Sequence, residues 1–343
     1  MMKKEPLYQK IVTDILAQIQ AGDLKPGDQV PTELEISKQY NVSRITSKRA
    51  LTELENKQLI ERIQGRGSFV AEQQQPHSNV ILFILPFPNN PGLGDYAQGI
   101  SRFIANTSYT VQIQTNAYLS QLDAKKLSSM YAGLLLYPEA GTSHLDILYT
   151  LYLEKFPVVV LDKKIESIPF PFITSDNMQG GYIATQHLIN HGHKKIIFYT
   201  TQNLERSSTI RERYLGYLKA IHQANLEYHD SKVVNPDEDN SSFIHQMKEE
   251  QITGLIVEND INAIHLMKEI KRCGYQIPKD FSIIGFDNIQ AAELVDPGLS
   301  TIAQSFEEIG YQAAKQLIQL IDNNQDIHSV VVPIEMMIRE STN

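Results

Sequence analysis

The chain has 343 residues, 42% hydrophobic and 21% charged, with a formal net charge of −9; that length suits two or three folding units, and the apolar share excludes a wholly disordered chain. The single cysteine, Cys273, excludes an internal disulfide framework and fits a reducing compartment. No apolar run approaches the ~20 residues of a bilayer span, and no apolar signal core follows the basic residues 1–4, so a soluble, cytoplasmic protein without a membrane partner is expected.

Leu7, Ile11, Ile15 and Ile19 recur at spacing four, the stripe of an amphipathic helix over residues 6–21 that ends at Gly22. Lys25-Pro26-Gly27-Asp28 reads as a turn. Thr32 with Glu35 forms a capping box for a short second helix reaching about Tyr40, and Ser43 is a good N-cap for a third. Two short strands, 59–63 and 68–70, flank Gln64-Gly65-Arg66-Gly67, whose glycines suit a hairpin tip. Three helices and a hairpin in that order predict a winged helix over residues 1–71. A polar, proline-marked linker follows at 72–78. Beyond it, apolar runs at 80–85, 111–114, 133–136, 157–161, 195–199, 254–257 and 282–285 alternate with helical patterns at 178–190, 209–225, 261–273 and 306–322. Buried strands separated by helices predict an α/β domain with parallel sheets over 79–343, and this many strands predict two sheets.

The charge divides unevenly between these parts. Residues 1–76 carry 11 Lys/Arg against 10 Asp/Glu, whereas the remainder carries 20 against 30. Cations at phosphates, not whole-chain charge, govern DNA affinity, so an acidic bulk with a locally basic end is compatible with a DNA partner. In a winged helix the third helix leads into the major groove with its N-terminal residues, here Ser43, Arg44, Thr46, Ser47, Lys48 and Arg49. They combine a forked donor for guanine, hydroxyls, and cations for phosphate. Gly65, Arg66 and Gly67 at the wing tip allow close approach to a minor groove, with an arginine to enter it. Pro31-Thr32-Glu33-Leu34-Glu35-Ile36-Ser37, Asn41-Val42-Ser43-Arg44-Ile45-Thr46, Ala50-Leu51 and Gln64-Gly65-Arg66-Gly67-Ser68-Phe69-Val70 resemble the GntR-type winged-helix family. The resemblance implies that Thr32, Arg44, Thr46, Ser47 and Lys48 contact DNA, with Gly65 to Gly67 at the minor groove. Leu34 stands where the family often has arginine, and Arg49 where an acid is common.

The α/β part shows no enzyme fingerprint. Gly92, Gly94 and Gly99 miss the dinucleotide-loop spacing, and no nucleophile elbow, phosphate-cradling loop or zinc-protease motif occurs, so neither an enzyme nor a cofactor is expected. His187, His191 and His193 suggest a metal set but lack a fourth ligand, and the latter two read better as helix-end caps. Polar residues instead recur at strand ends and helix starts: Asp162, Arg211, Asn259-Asp260 and Asp287-Asn288. Ligands of open α/β sheets bind at the carboxyl ends of strands, and such residues suit vicinal hydroxyls. For any one of them a helix cap is an equally good reading.

Ser175-Asp176-Asn177 with Gly180-Gly181, His187-Leu188 with Gly192-His193-Lys194-Lys195-Ile196, Arg211 and Arg213 with Gly216-Tyr217, and Asn259-Asp260 resemble the LacI-type sugar-responsive repressor core. So do Gly274 with Ile277-Pro278 and Asp280-Phe281-Ser282-Ile283-Ile284-Gly285-Phe286-Asp287, then Leu299-Ser300-Thr301-Ile302 and Arg339-Glu340-Ser341. The resemblance implies a type I periplasmic-binding-protein-like fold: lobe 1 about 79–174 and 305–328, lobe 2 about 175–304 and 329–343. It also implies an effector held between the lobes by Asp162, Arg211, Asn259, Asp287 and Gln304, with Asp95, Tyr96, Tyr137 and Phe172 as the first-lobe candidates. Joining a GntR-type reader to a LacI-type sensor resembles the arabinose-repressor type of bacterial regulator. The expected function is therefore a homodimeric repressor of carbohydrate-utilisation genes on a pseudo-palindromic duplex operator, answering a monosaccharide such as a pentose. A GntR-type regulator of a phosphosugar, an amino acid or another metabolite is the alternative.

Overall fold

The apolar stripe at the front closes into helix α1 (Leu7–Ala21) in a computed structural model that describes residues 6–25, 27–57, 59–63, 65–71, 79–87, 94–139, 144–229, 232–233, 240–322 and 328–342. Ile11, Val12, Ile15 and Ile19 are buried in the head's core, whereas Leu7 is exposed. Helix α2 (Glu33–Gln39) opens on the expected capping box: Glu35 N–H donates to Thr32 Oγ1 at 3.3 Å, and Thr32 N–H donates back to the Glu35 carboxylate at 2.7 Å. Helix α3 (Arg44–Asn56) starts at Ser43, whose Oγ accepts Thr46 N–H at 3.2 Å. Strands β1 (Ile60–Ile63) and β2 (Gly67–Val70) pair antiparallel, completing the winged helix. Gly67 has φ +117°, and a Cβ there would lie 2.6 Å from Gln29 Nε2, so this wing position requires glycine.

The chain divides into units at 1–77 and 78–343; the expected linker, 72–78, lies outside the described residues. The second unit begins with β3 (Val80–Ile84), α4 (Tyr96–Ile104), β4 (Thr110–Gln114), α5 (Asn116–Leu119), α6 (Ala124–Met130), β5 (Gly133–Leu136), α7 (Leu145–Leu153), β6 (Val158–Leu161) and β7 (Phe172–Ser175). Next come α8 (Asn177–Asn190), β8 (Ile196–Thr200), α9 (Ser208–Gln223), β9 (Lys232–Val233), α10 (Ser241–Glu249), β10 (Gly254–Val257), α11 (Asp260–Arg272), β11 (Ser282–Asp287), α12 (Gln290–Leu294) and β12 (Ser300–Ala303). The unit closes with α13 (Phe306–Ile321), β13 (Val330–Val332) and β14 (Glu335–Met337).

These strands form two six-stranded sheets, β4-β3-β5-β6-β7-β13 and β9-β8-β10-β11-β12-β14. The first is parallel throughout, and the second is parallel except for β14. Central strands such as Val158–Leu161 and Gly254–Val257 are buried at every position, as helices on both faces require. The chain crosses between lobes after β7, after β12 and between β13 and β14. The expectation that 329–343 belongs to lobe 2 therefore needs correction: Val330–Val332 pairs in parallel with β7 and extends the first sheet. Glycines set the helix packing beside the cleft. A Cβ at Gly181 on α8 would lie 1.9 Å from the Arg213 carbonyl oxygen on α9, and one at Gly310 on α13 would lie 2.1 Å from that of Tyr96 on α4.

Candidate DNA-reading head and effector cleft

Helix α3 buries Ser47, Ala50, Leu51 and Leu54 against the head's core and turns Arg44 and Lys48, four residues apart, to solvent. Among the described residues neither cation has an acidic partner, leaving both available to an anion. Thr32, Gly65 and Gly67 line one groove of about 340 Å³, which places the start of α2 beside the wing tip. Thr46 Oγ1 lies 2.9 Å from Ser43 Oγ, so these hydroxyls hold one another at the helix start. Arg66 sits over the Phe69 ring, 5.8 Å from its centroid.

Two of the expected DNA residues are placed otherwise. Ser47 is 0% exposed and lies on the buried face of α3, with its hydroxyl directed at the Ser43 carbonyl, so it cannot reach a groove. Arg49 stacks over Tyr8 of α1 at 4.0 Å, which directs its guanidinium along the head's own surface. Ile45 is not among the expected DNA contacts, yet it is 81% exposed at the second residue of α3. An apolar side chain held in water at the leading end of a recognition helix suits a thymine methyl. Arg62 is structural: it bridges Glu33 of α2 and Glu55 of α3 from the wing strand.

In the sensor, the carboxyl ends of the parallel strands converge on a cleft of about 190 Å³. Asp162 follows β6, Glu258 and Asn259 follow β10, Asp287 ends β11 and Gln304 follows β12. Phe87, Tyr96, Tyr137 and Phe306 supply an aromatic wall, with Tyr96 5.1 Å from Phe306 and 5.7 Å from Tyr137, edge to face. Opposite it, Arg213 on α9 is 5% exposed. Its Nε donates to Asn177 Oδ1 at 2.8 Å, Nη1 donates to the Glu258 carbonyl, Nη2 lies 3.6 Å from Asp287 Oδ1, and the guanidinium covers the Phe286 ring at 3.5 Å. Gln304 Nε2 donates to the same Asp287 oxygen at 2.6 Å.

The electrostatics of the cleft follow from burial. Asp287 is pushed up to about 6, chiefly by burial; Arg213 opposes the shift while Asp162 and Glu258 add to it. Burial, then the Asp162 carboxylate, holds the Tyr96 and Tyr137 phenols far above their ordinary range, so both remain neutral donors. Asp260 sits beneath the cleft floor, bonded by the Thr301 hydroxyl at 2.6 Å and by Ile289 N–H at 2.9 Å, and is raised to about 8, again by burial first and Asp287 second. A carboxyl raised in the folded state contributes most stability below the unfolded-state value near 4, and loses it as pH rises through the folded value. Asp260→Asn should therefore gain thermal stability relative to wild type as pH rises from about 5 to 9. A pH-independent difference in midpoint would contradict this.

Six of the nine expected effector residues line the cleft, namely Asp162, Asn259, Asp287, Gln304, Tyr96 and Tyr137. Three do not. Asp95 is exposed and caps α4, its carboxylate accepting Gln98 N–H at 3.0 Å. Phe172 starts β7, the amino end of a strand whose carboxyl end faces the cleft. Arg211 points outward and pairs with Glu166. Two residues along a helix is a rotation of about 200°, so Arg213 faces inward where Arg211 cannot. Periodicity carried that signal, because Ile210, Arg213, Tyr217 and Ala220 form the buried stripe of α9. Sequence reasoning also missed Phe87, Gln202, Thr209, Glu258 and Phe306. His191 ends α8, its Nδ1 reaching the His187 carbonyl at 2.7 Å; His193 caps it through its backbone N–H, which donates to the Leu188 carbonyl at 3.1 Å, while its Nδ1 turns away to Thr253 Oγ1 at 2.8 Å.

Residues 7–70 match the family of bacterial regulatory proteins, gntR family, and residues 185–342 match the periplasmic binding protein-like domain. The HTH-type transcriptional repressor PurR of Histophilus somni is 31% identical over 72% of this chain and 73% of its own length. The chain belongs to the bacterial HTH-type transcriptional repressors, with a gntR-family DNA-binding head and an effector-binding sensor rather than an enzyme's active site. Along nearly its whole length, 99% of this chain and 98% of the relative, it is 29% identical to the arabinose metabolism transcriptional repressor of Geobacillus stearothermophilus. The sensor also resembles the crystal structure of a periplasmic binding protein/LacI transcriptional regulator from Alkaliphilus metalliredigens complexed with D-xylulofuranose. That likeness has a TM-score of 0.62 at 25% identity, over 78% of this chain and all of that one. No helix among the described residues is long and apolar enough to cross a membrane.

Proposed function

We propose that the protein is a cytoplasmic, homodimeric repressor of sugar-utilisation genes whose hold on a pseudo-palindromic operator is set by a neutral monosaccharide in the cleft. One observation carries the effector class: among the described residues, Asp162 Oδ1, Gln202 Oε1 and Gln304 Oε1 are buried polar atoms without a partner, and all three belong to residues lining the cleft. All three are acceptors, so a complementary ligand brings several donors. Each buried acceptor left unmatched costs about 1–3 kcal/mol, which a polyol's hydroxyls would recover while its apolar face packs on the aromatic wall. The cleft carries Asp162, Asp287 and Glu258 against Arg213 and Lys163, and the Arg213 donors are already engaged within the protein. That balance disfavours a phosphosugar or another anion. At about 190 Å³ the cleft is below the ~300–1,000 Å³ usual for drug-sized ligands, which suits one sugar ring. The names of the relatives make a pentose such as arabinose the first candidate.

On the DNA side, Arg44, Thr46, Lys48 and Ile45 would read a major groove, with Thr32 and the Gly65-Arg66-Gly67 wing at the backbone and minor groove. Two heads related by a dyad would meet half-sites about one helical turn or a multiple apart. Calorimetric titration of the full chain with L-arabinose, D-ribose, D-glucose and their phosphates tests the effector class. Heat with one or two neutral sugars and none with the phosphates is the expected result; binding confined to phosphorylated sugars would overturn it.

A further inference from the structure

The loop after β6 and the start of α9 face each other across the cleft rim, one from each lobe. Lys164, two residues beyond Asp162, places Nζ 2.5 Å from Glu212 Oε1, and Glu212 immediately precedes Arg213. The Lys164 backbone N–H also donates to Ser208 Oγ at 3.1 Å. A second pair of opposite polarity, Arg211 with Glu166, lies in the same two segments. The first pair is only part-exposed, 33% for Lys164 and 26% for Glu212, so solvent screens it less than an ordinary surface pair. Lys164 Nζ also lies over the Phe172 ring of lobe 1, 5.0 Å from its centroid. Neither Lys164 nor Glu212 lines the cleft; each adjoins a residue that does.

We propose that the Lys164–Glu212 pair, supported by Ser208, is a latch between the lobes that sets how readily the cleft closes and therefore how much effector is needed to switch the repressor. This rests on the reading of the cleft as the effector site. The ion pair forms only when the rims meet, so its energy enters the open–closed equilibrium directly. An effector that binds the closed state has an apparent affinity scaled by the closed fraction. Both residues act as positioning residues, since neither touches the ligand.

The test uses the full chain with Cys273→Ser and paired nitroxide labels on the exposed Ser129 of α6 and Lys268 of α11, read by double electron–electron resonance without ligand. Wild type should give a dominant short lobe-to-lobe distance. Lys164→Glu and Glu212→Lys, each creating a like-charge contact, should shift the distribution to longer distances, and the double swap should return most of it. Salt at ~1 M, where charges are screened beyond a few ångströms, should lengthen the wild-type distance without disturbing any fold. L-Arabinose is the binding probe: each single reversal should weaken it about three- to tenfold, and the swap should recover the loss. Unchanged distances in both reversals and in high salt would overturn the latch. If the distances respond while wild type takes up no arabinose, the latch stands and the arabinose reading falls. If arabinose binds and the distances do not move, the effector reading stands and the latch falls.

Discussion

Arg213→Ala is expected to lower effector affinity by at least about a hundredfold while leaving operator binding of the effector-free protein in place. The guanidinium is anchored by Asn177, by the Glu258 carbonyl, by Asp287 and by the Phe286 face. Its removal leaves Asp287 buried among Asp162 and Glu258 without the guanidinium that opposes its protonation. Breaking a buried hydrogen-bonded charge pair costs about 3–5 kcal/mol, and here that cost falls on the wall the ligand must use. Asp287 should then take up a proton at still higher pH, removing an ionic acceptor from the cleft as well. Arg211→Ala, two residues earlier, should change sugar affinity no more than about threefold, because its pair with Glu166 lies at the surface, where such contacts contribute about 0–1 kcal/mol. Calorimetry of both variants, with circular dichroism to confirm folding, decides between them. Equal losses in the two, or none in Arg213→Ala, would show that the cleft is misplaced.

Arg44→Ala carries the second large effect, on the other ligand. Arg44 leads α3, exposed and free of acidic partners among the described residues. A bidentate arginine on a guanine edge discriminates by about 1–3 kcal/mol, so operator affinity should fall roughly ten- to a hundredfold and base preference should relax at one position of each half-site. Lys48→Ala should instead weaken all duplexes alike and flatten the salt dependence by about one unit, the signature of a phosphate contact. Sugar binding should be unchanged in both. Fluorescence anisotropy on selected and scrambled duplexes separates the two behaviours; an Arg44→Ala protein with wild-type affinity and preference would remove that residue from the reading helix.

Most of the head could be read from sequence because its determinants are local. Thr32 with Glu35, Ser43 before α3 and the glycines around Arg66 each fix a cap or turn within a few residues. Central strands such as β5 and β10 were legible as unbroken apolar runs, whereas β7, β12, β13 and β14 were not. β7, β12 and β14 mix polar residues into three or four positions, β13 has only three residues, and all are strands because distant neighbours pair with them. The same division runs through the cleft. Asp162, Asn259 and Asp287 stand at the ends of strands that apolar runs mark out, whereas Gln304 follows β12, which no such run marks; the inward side of α9 is carried by its buried stripe, Ile210, Arg213 and Tyr217. Glu258 reads as one more residue after a strand, yet it is 0% exposed and bonded by Thr201 N–H at 3.1 Å and Thr201 Oγ1 at 2.6 Å. Nothing in its immediate sequence announces those partners.

The central claim is that one chain couples a sugar in the cleft to the affinity of its head for DNA, and linkage makes that coupling reciprocal. The most direct measurement selects duplexes with the effector-free full chain from a random pool, then titrates the winning duplex by fluorescence anisotropy with and without saturating L-arabinose, in wild type and Arg213→Ala. The expected result is a sequence-specific complex whose dissociation constant changes at least about fivefold with the sugar, a coupling of about 1 kcal/mol or more, in wild type and not in the variant. An operator affinity indifferent to arabinose and to every other neutral sugar that binds the cleft would contradict the account.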